Sequence, residues 1–440
     1  MKIFQNPPKT PLFLLILLIS SCSNSIKNPY ILPEICGAKI ENLDSLLNDK
    51  TYQIKEVQTT KMIEGRILGY GQDLKAGDIV DKFDKTVIEV AKRMDTATNI
   101  DNGLVKYCNK ISTTTGPDGV NAELLTEAGQ GGTDLGIPFT LNDGRIMLLF
   151  GDTFSAEKMG GFWNSNFMAI TTDKDLTDGL NFDSVVTNKI GMIKPFAQGK
   201  HESGSLEDVD REITKIPTGG ISVNGNNYIF YMSIHYWAPW SIAYNQCLKA
   251  TDDTFTEWNE VEGLRWNKSE LSNAGHQIYP FLNPQEPNYV YFTSIPAGRD
   301  GGAILFRVLK ENFENKNEYE YLVGPETYLK GDAGIKEINE NPYYIINPGA
   351  GEPSIMYSKY LNKRLYSTCK NGGISFLLAD KAEGPYNEQY LAVTKESPFI
   401  NFYGGFVHEA FTDTDGQRIY IQLSEYNPIY NTSLVEVVLE

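Results

Sequence analysis

The chain has 440 residues, of which 41% are hydrophobic and 22% are charged, so it is long enough to bury a large core. It carries 56 acidic against 39 basic residues, a formal net charge of −17 at pH 7. Because proteins bind nucleic acids through clustered lysine and arginine, this acidic balance argues against a nucleic-acid partner.

The N-terminus is predicted to be a lipoprotein signal peptide. The apolar run Leu12–Ile19 follows a basic start and leads to Ser20, Ser21 and Cys22. A run of this length is too short for a membrane-spanning helix, which needs about 20 apolar residues. The segment ISSC resembles a bacterial lipobox, in which the cysteine is lipidated. We therefore expect residues 1–21 to be removed and Cys22 to anchor the protein to a bacterial membrane outside the cytoplasm. Cleavage without lipidation is the alternative.

The next segments are predicted to be accessory to the main domain. Removal of residues 1–21 takes away two lysines and lowers the net charge to −19. Residues 22–33 are interpreted as a polar tether, and residues 34–115 as a small N-terminal extension that packs on the main domain. Within the extension, the segment VIEVAKRM is interpreted as a possible helix.

The four remaining cysteines give no sign of a metal or redox site. Cys36, Cys108, Cys247 and Cys369 are scattered, and no Cys-x-x-Cys pair occurs. Export would permit disulfide bonds, and four cysteines allow three pairings, among which the sequence does not choose.

From about residue 120, one hairpin pattern recurs five times. The copies are IPFTL-NDG-RIMLLFGDTF, GISV-NG-NNYIFYMS, QIYPFLN-PQE-PNYVYFTS, PSIMYSKY-LN-KRLYSTC and EAFTDT-DG-QRIYIQLS. Asn-Gly and Asp-Gly favour a type I′ turn, whose two central residues both need positive φ. The turn centres lie near Asp143, Asn224, Gln285, Asn362 and Asp415.

The spacing of these hairpins predicts the fold. One hairpin every 50 to 80 residues, roughly, is typical of slightly enlarged propeller blades. A single small sheet cannot bury both of its faces, so several sheets packed radially are the natural solution. We therefore predict an all-β fold, a five-bladed β-propeller over residues 116–440 with the small N-terminal extension. A β-sandwich or two β-domains is the alternative.

The first hairpin carries a candidate catalytic pair. Asp134 and Asp152 are equidistant from the turn centre at Asp143, so they are predicted to face each other, with Cβ atoms roughly 4.5–5.5 Å apart. Two carboxylates that close repel each other, so one pKa rises and the other falls. One group can then act as an acid and the other as a base or nucleophile. The alternative is that both cap strand ends or hold an ion such as a structural calcium. We expect no cofactor.

Polar and aromatic residues cluster at the same predicted strand ends. Sugar sites combine carboxylates with aromatic rings, so these residues are candidates for substrate binding. They are Trp237, His276, Tyr279, Arg299, Glu352, His408 and Asn427. Packing in the core is the alternative for each of them, and a histidine cluster could also bind a metal.

At these positions the sequence resembles the DUF 4185 family of bacterial secreted and lipid-anchored proteins. The matching motifs are GTDLG (132–136), FGDTF (150–154), GEPSIMY (351–357), EGPY (383–386), YGGFVHE (403–409) and LSEYNPIYN (423–431). The resemblance covers roughly residues 116–440 and implies a fold similar to five-bladed propeller glycosidases. It also implies endo-D-arabinanase activity, with Asp134 and Asp152 as the catalytic carboxylates and inversion at the anomeric carbon. The sequence departs from the family pattern at Glu409 and Tyr426.

The sequence therefore predicts an exported, lipid-anchored glycoside hydrolase that acts on furanosidic, D-arabinan-like glycan chains. Its expected partners are a polysaccharide or glycoconjugate and the membrane. Two other interpretations stay open. One is a propeller that captures a surface glycan without cutting it, and the other is a propeller that binds a protein.

Overall fold

The computed structural model describes residues 26–36, 38–59, 67–71, 73–93, 97–208, 210–271, 275–395 and 401–440. The predicted signal peptide and Cys22 lie outside the described residues. The chain divides into two compact units, residues 1–56 with 66–90 and residues 57–65 with 91–440. Within the described ranges, no helix has the length and apolar character needed to cross a membrane.

The first unit is a small mixed structure. Its elements are β1 (Pro29–Ile31), α1 (Leu43–Leu47), β2 (Tyr52–Thr59), β3 (Ile67–Tyr70), β4 (Ile79–Asp81) and β5 (Thr86–Arg93), with a 3-10 turn at Ile40–Asn42. Strands β2, β5 and β3 form one sheet, and β1 pairs with β4. The helix considered for VIEVAKRM is wrong, because residues 87–93 of this segment lie in β5. Its β-branched residues Val87, Ile88 and Val90 are buried and favour a strand.

The second unit contains the remaining elements. It begins with β6 (Thr98–Asn99), β7 (Val105–Thr113), α2 (Ala122–Glu127), β8 (Leu135–Thr140), β9 (Ile146–Phe150), β10 (Thr153–Phe154), β11 (Trp163–Asn164), β12 (Phe167–Thr171) and β13 (Ser184–Val185). It continues with β14 (Thr214–Val223), β15 (Asn226–Trp237), β16 (Trp240–Ala250), β17 (Trp258–Asn267), β18 (Gln277–Leu282), β19 (Tyr289–Ile295), β20 (Gly301–Leu309), β21 (Glu320–Gly324), β22 (Thr327–Lys330) and α3 (Gly331–Glu340). It ends with β23 (Ile346–Ala350), β24 (Ser354–Ser358), β25 (Lys363–Lys370), β26 (Gly373–Ala379), β27 (Glu388–Val393), β28 (Phe402–Phe406), β29 (Arg418–Glu425) and β30 (Asn431–Leu439). The all-β class is confirmed.

These strands form a series of antiparallel sheets. Four of them follow the chain order β8-β9-β12-β13, β14-β15-β16-β17, β18-β19-β20-β21-β22 and β24-β25-β26-β27, and β23 adds to β20. The next sheet has the order β28-β29-β30-β7-β6, so a strand from the N-terminal side completes a sheet begun by the C-terminus. The expected boundary between residues 115 and 116 is therefore wrong, because β6 and β7 belong to the last sheet.

Four of the five expected hairpins are pairs of full strands, namely β8–β9, β14–β15, β18–β19 and β24–β25. At the second turn, Asn224 and Gly225 have φ values of 51° and 78°, as a type I′ turn requires. The fifth hairpin is present only as a short pairing, in which Thr412 bridges to Ile419 across the Asp-Gly turn, because β28 ends at Phe406 before the expected strand. His408 accepts hydrogen bonds from the backbone N–H groups of Ala410, at Nδ1, and Phe411, at its carbonyl oxygen, and this turn interrupts the ladder.

The sheets pack against one another in chain order. Strand β8 contacts β14, β14 contacts β18, β18 contacts β24, β25 contacts β28, and β28 contacts β8. Between the second and third sheets, the ring centres of Phe230 and Phe292 lie 5.6 Å apart, and within the third sheet those of Phe292 and Phe306 lie 5.0 Å apart. Full burial of such a side chain contributes about 1.5–3 kcal/mol.

The structure leaves all three disulfide pairings unmade. Cys36, Cys247 and Cys369 carry free thiols, and each possible set of two disulfides would use all three of them.

Candidate active site

A cavity of about 740 Å³ opens at the strand ends that lie away from the tight hairpin turns. Its lining includes the acids Asp134, Asp152 and Glu352, the cations Arg299 and Lys395, and the aromatic residues Trp163, Trp237, Trp240, Tyr403, Tyr426 and Tyr430. Its volume lies in the range of roughly 300–1,000 Å³ that is usual for small-molecule sites. The predicted carboxylate pair therefore shares one cavity with an arginine, a lysine and several rings.

The two aspartates are not the directly opposed pair that their spacing predicted. Leu135 pairs with Phe150, and the carbonyl oxygen of Asp134 accepts a hydrogen bond of 3.2 Å from Gly151 N. The register shifts at Gly136, and it shifts back between Phe150 and Phe154, since Phe154 bridges to Gly132. Each shift is a bulge of one residue, and bulges of this kind re-aim side chains beside functional sites.

The absence of a side chain at Gly151 makes room for the Asp134 carboxylate. A Cβ atom at residue 151 would lie 2.3 Å from Oδ1 of Asp134. Leu135, which follows Asp134 in the chain, has a φ of 67°, and this value is unfavourable for a leucine. Its backbone N–H donates to Ser424 Oγ at 2.8 Å. The local backbone therefore accepts a costly conformation where it places Asp134 in the cavity.

Asp134 is buried, with only 7% of its surface exposed. The Tyr403 hydroxyl donates to its Oδ2, whereas Oδ1 accepts no hydrogen bond from any residue that the structure describes. Burial raises the pKa of Asp134 to about 6, although the Tyr403 and Tyr430 hydroxyls and the Arg299 charge lower it. Asp134 is therefore mostly ionised at neutral pH.

Asp152 is also buried, with 9% of its surface exposed, and forms no ion pair with a residue that the structure describes. Its Oδ1 accepts hydrogen bonds from Trp163 Nε1 at 2.8 Å and from Thr214 Oγ1 at 2.5 Å. Burial, followed by the negative charge of Asp134, raises the pKa of Asp152 to about 8, against the lowering effect of these two donors. One proton is thus held on Asp152 at neutral pH, and the two environments separate an acid from a base.

Arg299 links the acidic residues to the aromatic wall. Its Nε donates to Glu352 Oε2 at 3.0 Å, and Nη2 also pairs with the Glu352 carboxylate. Its guanidinium lies 4.5 Å from the ring centre of Tyr403 and 5.4 Å from that of Trp240. A planar cation held by a carboxylate and two rings is fixed in orientation, so it positions the Tyr403 hydroxyl that contacts Asp134.

The cavity rim carries exposed rings. Trp237 is 44% exposed and lies 5.5 Å from Trp240, while Tyr426 is 39% exposed and lies 5.6 Å from Tyr403, measured between ring centres. Exposed rings beside a polar cavity suit the apolar faces of sugar rings.

The structure brings Trp237, Arg299 and Glu352 to the cavity but places the other four candidate binding residues elsewhere. His276 is buried, and its Nδ1 accepts a hydrogen bond of 3.0 Å from Ala297 N. Tyr279 packs in the core, and buried His408 contacts Thr140 Oγ1 at 3.3 Å. Asn427 is exposed, and its carbonyl oxygen accepts from the side chain of Asn401.

Sequence reasoning missed four residues that contact the aspartates. Tyr403 and Tyr430 lie within the motifs YGGFVHE and LSEYNPIYN, so the motifs held a signal for them. Trp163 and Thr214 carried none. No three His, Cys, Asp or Glu side chains among the described residues come together to hold a metal ion.

The fold and the cavity define an all-β protein with a buried carboxylate pair at the strand ends. Residues 122–436 match the family described as "Domain of unknown function (DUF4185)". The chain belongs to this family.

The chain also has low sequence identity to named relatives and to proteins of known structure. The chain is 26% identical over 323 residues to Notoamide biosynthesis cluster protein J of Aspergillus sp. (strain MF297-2), covering 69% of this chain and 82% of the relative. A presumed hydrolase from Bacteroides ovatus ATCC 8483 has a similar fold, with 12% identity, a TM-score of 0.54 and coverage of 79% of this chain and 95% of that chain. The native arabinanase Arb43A of Bacillus subtilis aligns with a TM-score of 0.39 and 12% identity, over 69% of this chain and 93% of that chain.

Proposed function

We propose that this protein is a glycoside hydrolase that uses Asp152 as the general acid and Asp134 as the base or nucleophile. The observation that carries the proposal is the buried pair itself, in which burial and the charge of Asp134 raise the pKa of Asp152 to about 8, while burial raises the pKa of Asp134 to about 6. Glycosidases that use two carboxyl groups need one of them protonated and the other ionised at working pH.

The proposed reaction uses both groups at neutral pH. Asp152 gives its proton to the glycosidic oxygen as the bond from that oxygen to the anomeric carbon breaks. In the inverting form, Asp134 takes a proton from a water molecule whose oxygen bonds to the anomeric carbon on the opposite face. Family resemblance favours this form. In the retaining form, Asp134 would bond to the anomeric carbon first, and water would then release the sugar.

The proposed substrate is a furanosidic, D-arabinan-like glycan. The exposed rings of Trp237 and Tyr426 would contact sugar faces, and the Arg299–Glu352 pair offers donors and acceptors for hydroxyl groups. Family membership supports this choice. Because exposed rings suit sugar binding with or without cleavage, the alternative function is capture of the glycan without cutting it.

The architecture and the location belong to the same proposal. We interpret the antiparallel sheets as five blades of a propeller, closed by β7 pairing with β30, with the cavity at one end of its axis. We also propose that Cys22 is lipidated after export, so that the enzyme meets its glycan outside the cytoplasm while tethered to a bacterial membrane.

The experiment is a panel of polysaccharides incubated with the wild type and with Asp134→Asn and Asp152→Asn variants. D-arabinan should yield oligosaccharides with the wild type only. The exposed carboxylate variant Asp183→Asn is the matched control and should retain full activity. Binding of a glycan without new reducing ends would favour the capture protein, and equal activity in all variants would end the assignment of the pair.

A further inference from the structure

Trp163 reaches Asp152 from a separate hairpin. Strands β10 and β11 pair through Thr153–Asn164 and Phe154–Trp163, so the hairpin starts one residue after Asp152 and returns at Trp163. The indole Nε1–H donates to Oδ1 of Asp152 at 2.8 Å. One side of the ring stacks on Phe154 at 5.7 Å between ring centres. The direction of this N–H therefore depends on how the plane of the indole is held.

His201 is stacked on the indole of Trp163. The two ring centres lie 3.8 Å apart and the planes differ by only 4°, the closest ring contact of Trp163 among the described residues. Such an overlap fixes the plane of the indole, and aromatic pairs contribute about 0.5–1.5 kcal/mol beyond their buried area. The loss of His201 would leave that face of Trp163 without its ring partner.

The imidazole of His201 is held by two side chains. Gln198 Oε1 accepts from Ser165 N at 3.3 Å, which turns the Gln198 amide nitrogen toward Nε2 of His201, 3.2 Å away. Ser165 Oγ accepts from Gly199 N at 2.8 Å and lies 3.1 Å from the same Nε2. With donors on both sides, Nε2 is the acceptor and the proton of the neutral ring is on Nδ1.

The backbone of this segment is tied to the second donor of Asp152. His201 N donates to Ile213 O at 2.9 Å, and the next residue, Thr214, donates to Asp152. A Cβ atom at Gly199 would lie 2.6 Å from the Cα atom of Thr214, so glycine permits this close approach. The segment 198–201 therefore adjoins both side chains that donate to Asp152.

We propose that His201 is a positioning residue, which keeps the indole N–H of Trp163 directed at Asp152 by stacking on it. The stacking role stands on the contacts alone, and only its consequence for catalysis rests on the proposed function.

Burial favours an uncharged His201 ring at neutral pH. Burial lowers the pKa of His201, and the nearby Glu212 carboxylate opposes this shift. Glu212 is itself 3.7 Å from Lys215, and the exposed pair Lys200 and Glu202 flanks the histidine at 4.0 Å from each other. Protonation at Nε2 would place an N–H against the Gln198 amide, so the holding contacts need the neutral ring.

The test measures how fast the indole N–H protons of the tryptophans exchange with solvent. ¹⁵N-edited NMR spectra of the full chain monitor this exchange. The Trp163→Phe variant assigns the signal, and the buried indole of Trp266, which donates to Tyr321 at 3.0 Å, is the internal control. In His201→Ala, Trp163 should exchange about ten-fold faster or more while Trp266 is unchanged, because exchange follows local opening. His201→Phe keeps a ring and should restore slow exchange.

Two results would overturn the proposal. One is a Trp163 exchange rate in His201→Ala within about two-fold of wild type, and the other is an equal acceleration at Trp163 and Trp266, which would mean a general loss of stability. Activity gives a separate readout. Loss of the Trp163 donor raises the pKa of Asp152, so the alkaline limb of the pH–rate profile should move to higher pH in His201→Ala and not in His201→Phe. Absence of any glycosidase activity would refute the proposed function and leave the exchange result unaffected.

Discussion

Replacement of Asp152 by Asn should stabilise the folded protein at neutral pH. Burial and the charge of Asp134 raise the pKa of Asp152 from its ordinary 3.8 to about 8, so the folded protein holds a proton that the unfolded chain has released. Below pH 4, both states bind this proton and it costs nothing. As the pH rises from 4 to 8, the cost of keeping it grows, and above pH 8 the cost stays constant because both states have lost the proton.

The size of this effect follows from the pKa difference. Each unit of difference corresponds to about 1.4 kcal/mol, so the cost is about 2 kcal/mol at pH 5 and about 4 kcal/mol at pH 7. Asparagine has no proton to gain, and its carbonyl oxygen can still accept from Trp163 and Thr214. Removal of a destabilising functional group commonly strengthens a fold at the expense of activity.

Urea unfolding of the full chain at pH 5, 6, 7 and 8 measures this difference. The free energy of unfolding of Asp152→Asn should exceed that of the wild type by an amount that grows with pH. The exposed Asp183→Asn control should stay within about 0.5 kcal/mol of the wild type at each pH. A variant that is less stable than the wild type at pH 7, or a difference that does not change with pH, would refute the reasoning.

Three further predictions concern the remainder of the cavity. Gly151→Ala places a Cβ atom 2.3 Å from Asp134 Oδ1, so it should lower the unfolding free energy by about 1–3 kcal/mol in urea and also reduce kcat. Arg299→Met removes a charge that lowers the pKa of Asp134, so the acidic limb of the kcat/KM profile should move to higher pH. Trp237→Ala, at a side chain 44% exposed, should raise KM about ten-fold with little change in kcat or melting temperature.

Each of these predictions has an opposite outcome. Wild-type activity in Gly151→Ala would mean that the Asp134 carboxylate does not need its present position. If the acidic limb of the Arg299→Met profile does not move, or moves to lower pH, then Arg299 does not lower the pKa of Asp134. A fall in kcat at constant KM would show that Trp237 does not act through ground-state binding.

The hairpin turns could be predicted because their signals are local. Asn224 and Gly225 are suited to positive φ, and the structure places both there. The register at the carboxylate pair could not be predicted in the same way. A bulge adds one residue to one strand without a composition signal of its own, and here one bulge at Gly136 and another between Phe150 and Phe154 intervene. The symmetric spacing therefore identified the two aspartates that reach the cavity, but it predicted the wrong cross-strand register for them.

Long-range partners were also beyond the reach of local patterns. Strand β7 completes a sheet with β30, more than 300 residues away in the chain, so its pattern resembled that of an N-terminal extension. Trp163 and Thr214 come from a short hairpin and from the next sheet, and only the tertiary fold brings both to Asp152. His276 and His408 were predicted at strand ends, and they lie there, but their rings turn into the protein interior.

The most direct test of the central claim is hydrolysis of D-arabinan in ¹⁸O-labelled water at pH 7. Each cleavage by the wild type should place one ¹⁸O atom at the anomeric hydroxyl group of the newly formed reducing end, and Asp134→Asn and Asp152→Asn should form no product above the rate without enzyme. Unlabelled and uncut glycan after incubation with the folded wild type, or labelled product from either variant at the wild-type rate, would contradict the assignment of this pair.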